Sequence, residues 1–397
     1  MKILYVHGNK ADTEGNKIIR ALKKMGHEVL LYSEKPVIVT MLDDNVVREM
    51  TDYIKEQKID LLVSIHFVMS AALAAYYTNL RFVAILWDSP YTEIYNVLGR
   101  MNHIRVSTFD RIDRDRMLAG GIQHVLYQPL CVDAEEMADW NREIQDTLQG
   151  GYIHDISFVG RLYEKNLYDD NFAHIPVNLY PYFNGIFEDA AFKWDGVNRV
   201  YGEMSEEILQ YMKMVDPDFP ISNNQDISDT RWFEIYFLIR KIANIERIAI
   251  LNILAEQYSV AFYTDSKGVE KVLQNVDIKP PVFYGKAASL VFAGSKINLN
   301  ISLKGIEGGT PLRVMDVMSA GGFVLSSYSP ETAEIFEEDK EIVMFKTPEE
   351  LIEKVDFYLK HDREREQIAK AGQRKVLSCY TYEKKLKDLM DWVEREA

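Results

Sequence analysis

The sequence has little cysteine: Cys131 and Cys379 are the only two in 397 residues. They lie far apart and show neither a metal-binding nor a redox spacing, so a disulfide framework is excluded and a reducing compartment is indicated. The first residues enter a strand pattern directly, without the cationic, apolar and small-residue zones of a secretion signal. We therefore expect a cytoplasmic protein.

Long apolar runs are also scarce. The one uncharged apolar stretch near membrane length spans residues 61–77, and it carries Ser64, His66 and Ser70. We interpret it as a buried strand followed by a helix, and we expect no membrane span.

Positive charge is in the minority. Lys and Arg number 46 and Asp and Glu number 61, which gives a formal net charge of −15. This balance argues against binding to nucleic acid or to anionic lipid. An anionic ligand must therefore meet a local cluster of positive groups.

The remaining composition is that of a globular protein long enough for two domains, with 47% hydrophobic residues. In the first 135 residues, short β-branched or aromatic runs alternate with amphipathic segments of helical length. Predicted strands lie at 2–6, 28–32, 61–65, 82–87, 106–108 and 124–127, and predicted helices include 16–25 and 46–57. Nearly all-apolar strands separated by helices indicate the α/β class, with a parallel sheet covered on both faces as in a Rossmann-like domain.

A polar, linker-like stretch at 133–153 separates this region from a second series of strands, predicted at 155–160, 260–264, 282–284, 297–301, 323–326 and 342–345. We expect domains at 1–150 and 151–380. The second contains a mostly helical insert at about 165–230, and a long helix is predicted at 231–257. Nine aromatic residues lie between Tyr163 and Trp194. They favour a satellite core over a platform for an acceptor. Thr347 and Pro348 begin helical sequence that continues to the end.

Ligands of a parallel sheet bind beyond the carboxyl ends of its strands. In the first domain His7, His66 and Asp88 each follow a predicted strand. Asp88 is the first candidate for a general base or for a group that orients an acceptor, and the two histidines are rivals. The alternatives are a turn cap for Asp88 and structural roles for His7 and His66.

In the second domain the most informative segment is 308–326. Thr310 is a natural N-cap, Pro311 a natural first helical residue and Gly321 a natural terminator, which predicts a helix of about ten residues. Free backbone amides at the start of this helix, near residue 311, and the positive end of the helix dipole would be offered to a phosphate. The sequence therefore predicts a phosphate site here.

Cationic side chains fit the same site. Arg313 lies in the first turn, and Asp316, three residues on, would accept hydrogen bonds from a ribose; the alternative is an ordinary ion pair between the two. Gly160 follows a predicted strand, and Arg161 and Lys165 are placed to straddle a diphosphate in a cleft between domains. Together with Lys304 they would supply local positive potential.

At this point the sequence resembles the GT-B glycosyltransferases, and more narrowly the spore-maturation CgeB-like family of glycosyltransferase-like proteins. The segments that carry the likeness are 87–90, 108–110, 127–130, 158–160, 298–300, 311–316, 331–336 and 364–381. The resemblance covers most of both halves but not the insert.

The resemblance implies two Rossmann-like domains facing across a cleft, the second holding the nucleotide sugar, with the last helix (about 381–397) crossing back onto the first, acceptor-side domain. It implies that the diphosphate and ribose of the donor are bound by the following residues: Gly160, Arg161, Thr310, Pro311, Leu312, Arg313 and Asp316. We expect Lys165, Asn300 and Lys304 to complete the donor site. The expected activity is transfer of a sugar from a nucleotide-diphosphate donor to a protein, glycan or small-molecule hydroxyl. We expect no cofactor besides this co-substrate.

Metal independence is part of this expectation. Asp113 and Asp115 form an Asp-x-Asp pattern, but Asp110 is placed as a helix cap and the interleaved arginines would neutralise the carboxylates.

Two alternatives stay open: a sugar-nucleotide epimerase on the same fold, or a non-catalytic structural protein. Related enzymes often use two glutamates eight positions apart. Here Asp316 stands at the second position and Gly308 at the first, with Glu307 one residue earlier.

Overall fold

The computed structural model describes residues 1–7, 13–32, 42–219 and 228–395. The chain divides into two compact units. Of the described residues, the first unit contains 1–133 and 379–395, and the second contains 134–219 and 228–378. Each unit is built on a six-stranded parallel sheet.

The sheet of the first unit has the strand order β2-β1-β3-β4-β5-β6. Its strands are β1 (Lys2–Val6), β2 (Glu28–Tyr32), β3 (Leu61–Ile65), β4 (Arg81–Ile85), β5 (Ile104–Thr108) and β6 (Val125–Tyr127), and its first helices are α1 (Thr13–Lys24), α2 (Asp44–Gln57), α3 (Met69–Thr78) and α4 (Arg111–Ala119). Leu4 pairs with Leu62 in the central register. Separate buried clusters cover the two faces of the sheet, which explains why its inner strands are almost wholly apolar.

The sheet of the second unit has the order β12-β11-β10-β7-β8-β9. Its strands are β7 (His154–Val159), β8 (Val260–Tyr263), β9 (Asp277–Lys279), β10 (Ser295–Asn300), β11 (Val324–Ser327) and β12 (Val343–Phe345). Its helices are α5 (Ala134–Leu148), α6 (Leu167–Asp170), α7 (Tyr180–Ala190), α8 (Glu206–Val215), α9 (Asp229–Phe233), α10 (Arg240–Ala255), α11 (Lys286–Ala293), α12 (Leu312–Ser319), α13 (Pro330–Ile335), α14 (Pro348–Lys360) and α15 (Asp362–Cys379). Thr347 caps α14 by accepting a hydrogen bond from the amide of Glu350, as predicted.

Two segments differ from the sequence predictions. The stretch expected as a linker, 133–153, forms α5, which buries Met137 and Ile144 and belongs to the second unit. Its Asn141 donates a hydrogen bond to the Ser319 carbonyl. The expected strand at 282–284 is not a strand, and β9 ends at Lys279 instead. Pro280 and Pro281 cannot donate to a strand ladder, so pairing stops before them.

The insert is helical and has its own core. Tyr168, Phe183, Phe187 and Phe237 are buried in one cluster, with ring centroids of Tyr168 and Phe187 4.9 Å apart. The satellite-core interpretation is therefore confirmed. The predicted long helix runs through α9 and α10, joined by a π-helical segment, Glu234–Ile239.

The last helix, α16 (Tyr382–Arg395), packs in the first unit, as predicted. Its Leu386, Leu389 and Val393 share a core cluster with β1 and β3. Val132 exchanges backbone hydrogen bonds with Tyr380 and Tyr382 where the chain returns. In the described ranges, no helix combines the length and the apolar character that crossing a membrane requires.

Candidate functional site

The carboxyl edge of the first sheet brings two catalytic candidates into contact. His66 follows β3 and Asp88 lies beyond β4, its neighbour in the sheet. The Nε2 atom of His66 lies 3.4 Å from Oδ2 of Asp88. The Asp88 side chain is 77% exposed and that of His66 26% exposed, so both are accessible to a ligand. An imidazole and a carboxylate in contact form a pair that is able to accept a proton from a hydroxyl group.

The surroundings of His66 fix its ring. Its backbone has φ = 62°, and its amide donates to the Ile85 carbonyl of β4. The hydroxyl of Ser64 donates to the His66 carbonyl at 2.6 Å. The ring stacks on Tyr91 with centroids 5.1 Å apart and planes 2° from parallel. A residue held in the left-handed region at a strand end is typical of a functional position.

His7 follows β1, which adjoins β3 in the sheet, so the third candidate lies at the same edge. Its ring meets that of Tyr5 edge-on, with centroids 5.3 Å apart. The partner of Asp88 at this edge is His66.

The aspartates of the Asp-x-Asp pattern, Asp113 and Asp115, and the preceding Asp110 all make contacts within the first unit. Asp110 caps α4 by accepting hydrogen bonds from the amides of Ile112 and Asp113. The buried Asp113 carboxylate accepts from the Tyr91 amide at 3.4 Å, and Asp115 pairs with Arg114 at 2.7 Å. Within the part of the chain that the structure describes, no group of three or more His, Cys, Asp or Glu side chains is arranged to hold a metal ion.

The beginning of α12 differs in detail from the prediction. The helix has eight residues, Leu312–Ser319, and its N-cap is Pro311 with ψ = 146°. Thr310 does not cap the helix, because Pro311 stays extended, and the buried Thr310 hydroxyl instead lies 2.9 Å from that of Thr332. The first amides of α12 have no acceptor within the helix, as at any helix start.

The glycines before α12 are anchored to the following helix. The hydroxyl of Ser329 donates to the Gly308 carbonyl and also to the Gly309 carbonyl, 3.3 Å away. The amide of Glu331 donates to Gly308 as well. These hydrogen bonds hold the carbonyls of Gly308 and Gly309 against the start of α13.

Arg313 lies in the first turn of α12, half-buried against two rings. Its guanidinium carbon is 5.0 Å from the Phe292 centroid and 5.7 Å from that of Tyr284. Asp316 follows one turn later and is also half-buried. Contact with two rings restricts the movement of the guanidinium, which suits recognition of phosphate oxygens.

The residues after β7 lie at the same carboxyl edge. Gly160 donates its amide to the Tyr263 carbonyl, and a Cβ there would come within 3.3 Å of the Phe158 ring. Arg161 makes two hydrogen bonds to Asp265, of 2.8 and 2.5 Å, which raise the pKa of Arg161 and lower that of Asp265. Arg161 and Lys165 are exposed.

The side chains of Asn300 and Lys304 make contacts with other residues of the second unit. The Asn300 amide donates to Ser302 and Ser326 at 3.0 and 2.9 Å. The Lys304 ammonium lies 3.3 Å from the buried Glu246 carboxylate and 4.8 Å from the Trp194 centroid. Burial lowers the pKa of Lys304 and raises that of Glu246.

The sequence analysis missed Arg247, a buried residue of α10. Its Nη1 donates to the Arg161 carbonyl at 2.6 Å and its Nη2 to the Ile301 carbonyl at 2.7 Å. It therefore links the chain segments that follow β7 and β10. Burial lowers the pKa of the Arg247 guanidinium, and the positive charge of Arg313 contributes in the same direction. The available signal was the pair of opposite charges, Glu246 and Arg247, between the apolar residues in the middle of α10.

The insert contacts the loop that leads to α12. The Arg231 guanidinium lies over the Tyr201 ring, 3.1 Å from its centroid, and 3.9 Å from the Glu307 carboxylate. Glu234, at the start of the π-helical segment, accepts hydrogen bonds from the amides of Gly202 and Met204. The Glu307 side chain is thus engaged by the insert.

Comparisons with known proteins fit this arrangement. Residues 237–391 match a family model described as glycosyl transferase-like. A sucrose-phosphate synthase from Thermosynechococcus elongatus is similar in structure, with a TM-score of 0.58, 8% identity and all of both chains covered. The chain has the GT-B fold. The comparison with curated proteins found no match.

Two further solved structures are similar to the chain. Anabaena HepE, solved in complex with UDP-glucose, has a TM-score of 0.55 and 13% identity, with 98% of this chain and 99% of that chain covered. A UDP-GlcNAc 2-epimerase from Neisseria meningitidis, bound to UDP-GlcNAc, has a TM-score of 0.51 and 11% identity, with 98% and 100% covered. At these identities the likeness establishes the fold.

Proposed function

We propose that the protein is a glycosyltransferase that moves a sugar from a nucleotide-diphosphate donor to a hydroxyl acceptor, without a metal ion. The observation that carries the proposal is a pair of arginines in the second unit: Arg313 lies in the first turn of α12 against two aromatic rings, and the buried Arg247 joins the segments that follow β7 and β10. Both lie in the segment that matches the glycosyl transferase-like family model. In a chain with a net charge of −15, this is the local positive potential that a diphosphate requires.

In the proposed reaction the acceptor oxygen forms a bond to the anomeric carbon of the sugar. The bond from that carbon to the diphosphate oxygen breaks, and the diphosphate leaves with the electron pair. The amides at Leu312 and Arg313 and the Arg313 guanidinium would stabilise the developing negative charge. Gly160 would allow close approach, and Asp316 would bind the ribose.

The proposal gives narrower roles in donor binding to four further residues: Arg161, Lys165, Asn300 and Lys304. Arg161 is already paired with Asp265, so it would bind the donor with the pair intact or after exchanging that partner. Asn300 and Lys304 make internal contacts and would support the backbone around the donor. Thr310 and Pro311 would set the position at which α12 begins.

The proton of the acceptor hydroxyl would pass to Asp88 or to a neighbouring histidine. The contact between His66 and Asp88 favours this pair over His7, because the carboxylate stabilises an imidazolium that has taken the proton. The acceptor class that fits is any molecule with a free hydroxyl.

We also propose a narrower placement, in the CgeB-like family, from the order of the motifs along the chain. A cytoplasmic location is proposed from the scarcity of cysteine.

The test is incubation of the full chain with a panel of nucleotide-diphosphate sugars, with and without pooled hydroxyl acceptors, in the presence of EDTA. Nucleotide released only with an acceptor supports transfer, and release abolished by EDTA would contradict metal independence. The second candidate function is that of a sugar-nucleotide epimerase, because the chain is similar in structure to one. Formation of an isomerised donor without an acceptor would support this second function. Absence of nucleotide binding would refute both and favour a non-catalytic protein.

A further inference from the structure

A cavity lies at the amino edge of the sheet in the second unit. It measures about 200 Å³ and adjoins the amino ends of β10 and β11, near Ser295 and Phe323. The candidate donor residues follow the carboxyl ends of the strands, so this cavity is separate from them. Its volume is far above the ~15 Å³ that one ordered water needs.

Arg365 in α15 forms part of the cavity wall and is 1% exposed. Its Nη1 donates to the Tyr358 carbonyl at 2.6 Å and pairs with Asp362 at 2.7 Å. Its Nε and Nη2 are buried, and among the described residues they have no hydrogen-bond partner. Leaving such donors unpaired is costly, so a bound ion or molecule is the expected explanation.

The unpaired nitrogens are the two that form the planar fork of a guanidinium. Arg161 uses the same pair, Nε and Nη2, to bind both oxygens of Asp265. A fork of this kind matches two oxygens of a carboxylate or a phosphate. Arg365 therefore has an unused oxyanion-binding fork and forms part of the cavity wall.

Two more cations line the cavity, and each has one acidic partner. Lys296 pairs with Asp155 at 2.7 Å, and Lys370 lies 3.4 Å from Glu366. With Arg365, which pairs with Asp362, they place three cations around the cavity, each beside one carboxylate, and an anionic ligand would compete with these carboxylates.

Tyr152 covers the guanidinium. Its ring centroid is 5.1 Å from the Arg365 guanidinium carbon, and its hydroxyl donates to the Glu366 carboxylate at 3.5 Å. Both residues line the cavity. A ligand that takes the fork of Arg365 would lie beneath this ring.

We propose that this cavity is a binding site for a phosphate group, either inorganic phosphate or the phosphate of a small molecule, held by Arg365 with Lys296 and Lys370. The proposal is independent of the proposed glycosyl transfer, because it uses a different edge of the sheet and none of the same residues.

The test is calorimetric titration of the full chain with inorganic phosphate, against sodium chloride of equal ionic strength. It is done in an Arg313→Ala background, which removes the main cation of the candidate donor site. Saturable binding at one site is expected to persist there. Arg365→Gln should weaken it about tenfold to a hundredfold, since a charge-assisted bidentate contact is lost.

If Arg365→Gln does not fold, the variants Lys296→Gln and Lys370→Gln test the proposal in its place. Each should weaken phosphate binding about threefold. Lys271→Gln is the matched control, since Lys271 is an exposed lysine of the same unit outside the cavity lining. No saturable binding in the Arg313→Ala background, or binding unchanged by both cavity lysine variants, would overturn the proposal.

Discussion

The carboxyl edges of the two sheets carry different chemistry although both sheets are parallel and six-stranded. The edge of the first sheet presents His7, His66 and Asp88. The edge of the second presents arginines, with Arg247 buried and Arg313 stacked on rings. The two sheets have the same number of strands, but they differ in strand order and in the side chains that follow their strands. Function in such a fold is decided by these few positions.

The edges also differ in how their charges are fixed. In the first sheet the Asp88 side chain is mostly exposed, so solvent screens its interaction with His66. In the second sheet Glu246, Arg247 and Lys304 are buried together, and their charges are screened little. We expect the second edge to tolerate charge removal less well.

The largest expected effect is that of Arg247→Met. It removes two hydrogen bonds to carbonyls and leaves Glu246 with one cationic neighbour fewer, which should lower the free energy of unfolding by about 3–5 kcal/mol. Urea denaturation measures this. Arg240→Met, an exposed change in the same helix, should cost under about 1 kcal/mol. Equal losses in both variants would show that burial of this charge has no special importance.

Changes at the first edge should affect turnover and spare stability. Asp88→Asn and His66→Gln are each expected to lower kcat of sugar transfer about a hundredfold, because they impair proton acceptance. The affinity for the donor nucleotide should stay as in the wild type, which a calorimetric titration checks. Asp115→Asn is the control, since this exposed aspartate pairs only with its neighbour Arg114 in the contacts described above. A normal kcat in both test variants would remove the pair from the proposed reaction.

Arg313→Ala tests the second edge by ligand binding. Loss of a charge-assisted contact to the diphosphate should weaken nucleotide binding about tenfold to a hundredfold. Isothermal titration with a nucleoside diphosphate is the measurement, and Arg374→Ala, an exposed arginine of α15, is the control. Unchanged affinity for Arg313→Ala would refute the assigned donor site.

The smallest expected effect concerns a buried cation of the first unit. Lys385 donates to the Gln128 and Pro129 carbonyls, and burial lowers its pKa from 10.5 to about 8. Above pH 8 the unfolded chain therefore binds more protons than the folded one, so stability rises with pH. The advantage of the wild type over Lys385→Met should grow by about 1 kcal/mol between pH 8 and 9.

This comparison is measured by urea denaturation at each pH, and Lys384→Met, an exposed change, should show no such trend. The range stops at pH 9 because burial also raises the pKa of Cys131 to about 12, which opposes the trend above that pH. A flat difference between the wild type and Lys385→Met from pH 8 to 9 would show that Lys385 titrates normally.

The sheets were predictable because their signal is local. The strands β1, β2 and β3 have the bounds that the sequence predicts. Short apolar runs between helical segments are compatible with few structures other than buried strands. The helix α5 was not predicted because its sequence is mostly polar. It is a surface helix with two buried residues, and such a sequence resembles a linker.

The candidate sites were less predictable because their contacts are distant in sequence. The Thr310 hydroxyl pairs with Thr332, 22 positions away, and so local capping rules fail. Arg247 binds a carbonyl 86 positions away, and no pattern in α10 indicates that partner. Contact between His66 and Asp88, by contrast, follows from two neighbouring strands that end at one edge.

The position of α16 in the chain has a consequence for synthesis on the ribosome. Residues 1–133 emerge first, but the helix that covers Ile3, Tyr5 and Val63 emerges only after the whole second unit. Until then the nascent first unit has an uncovered apolar face. This intermediate would expose its apolar face to chaperones. A chain whose translation terminated early would keep that face uncovered.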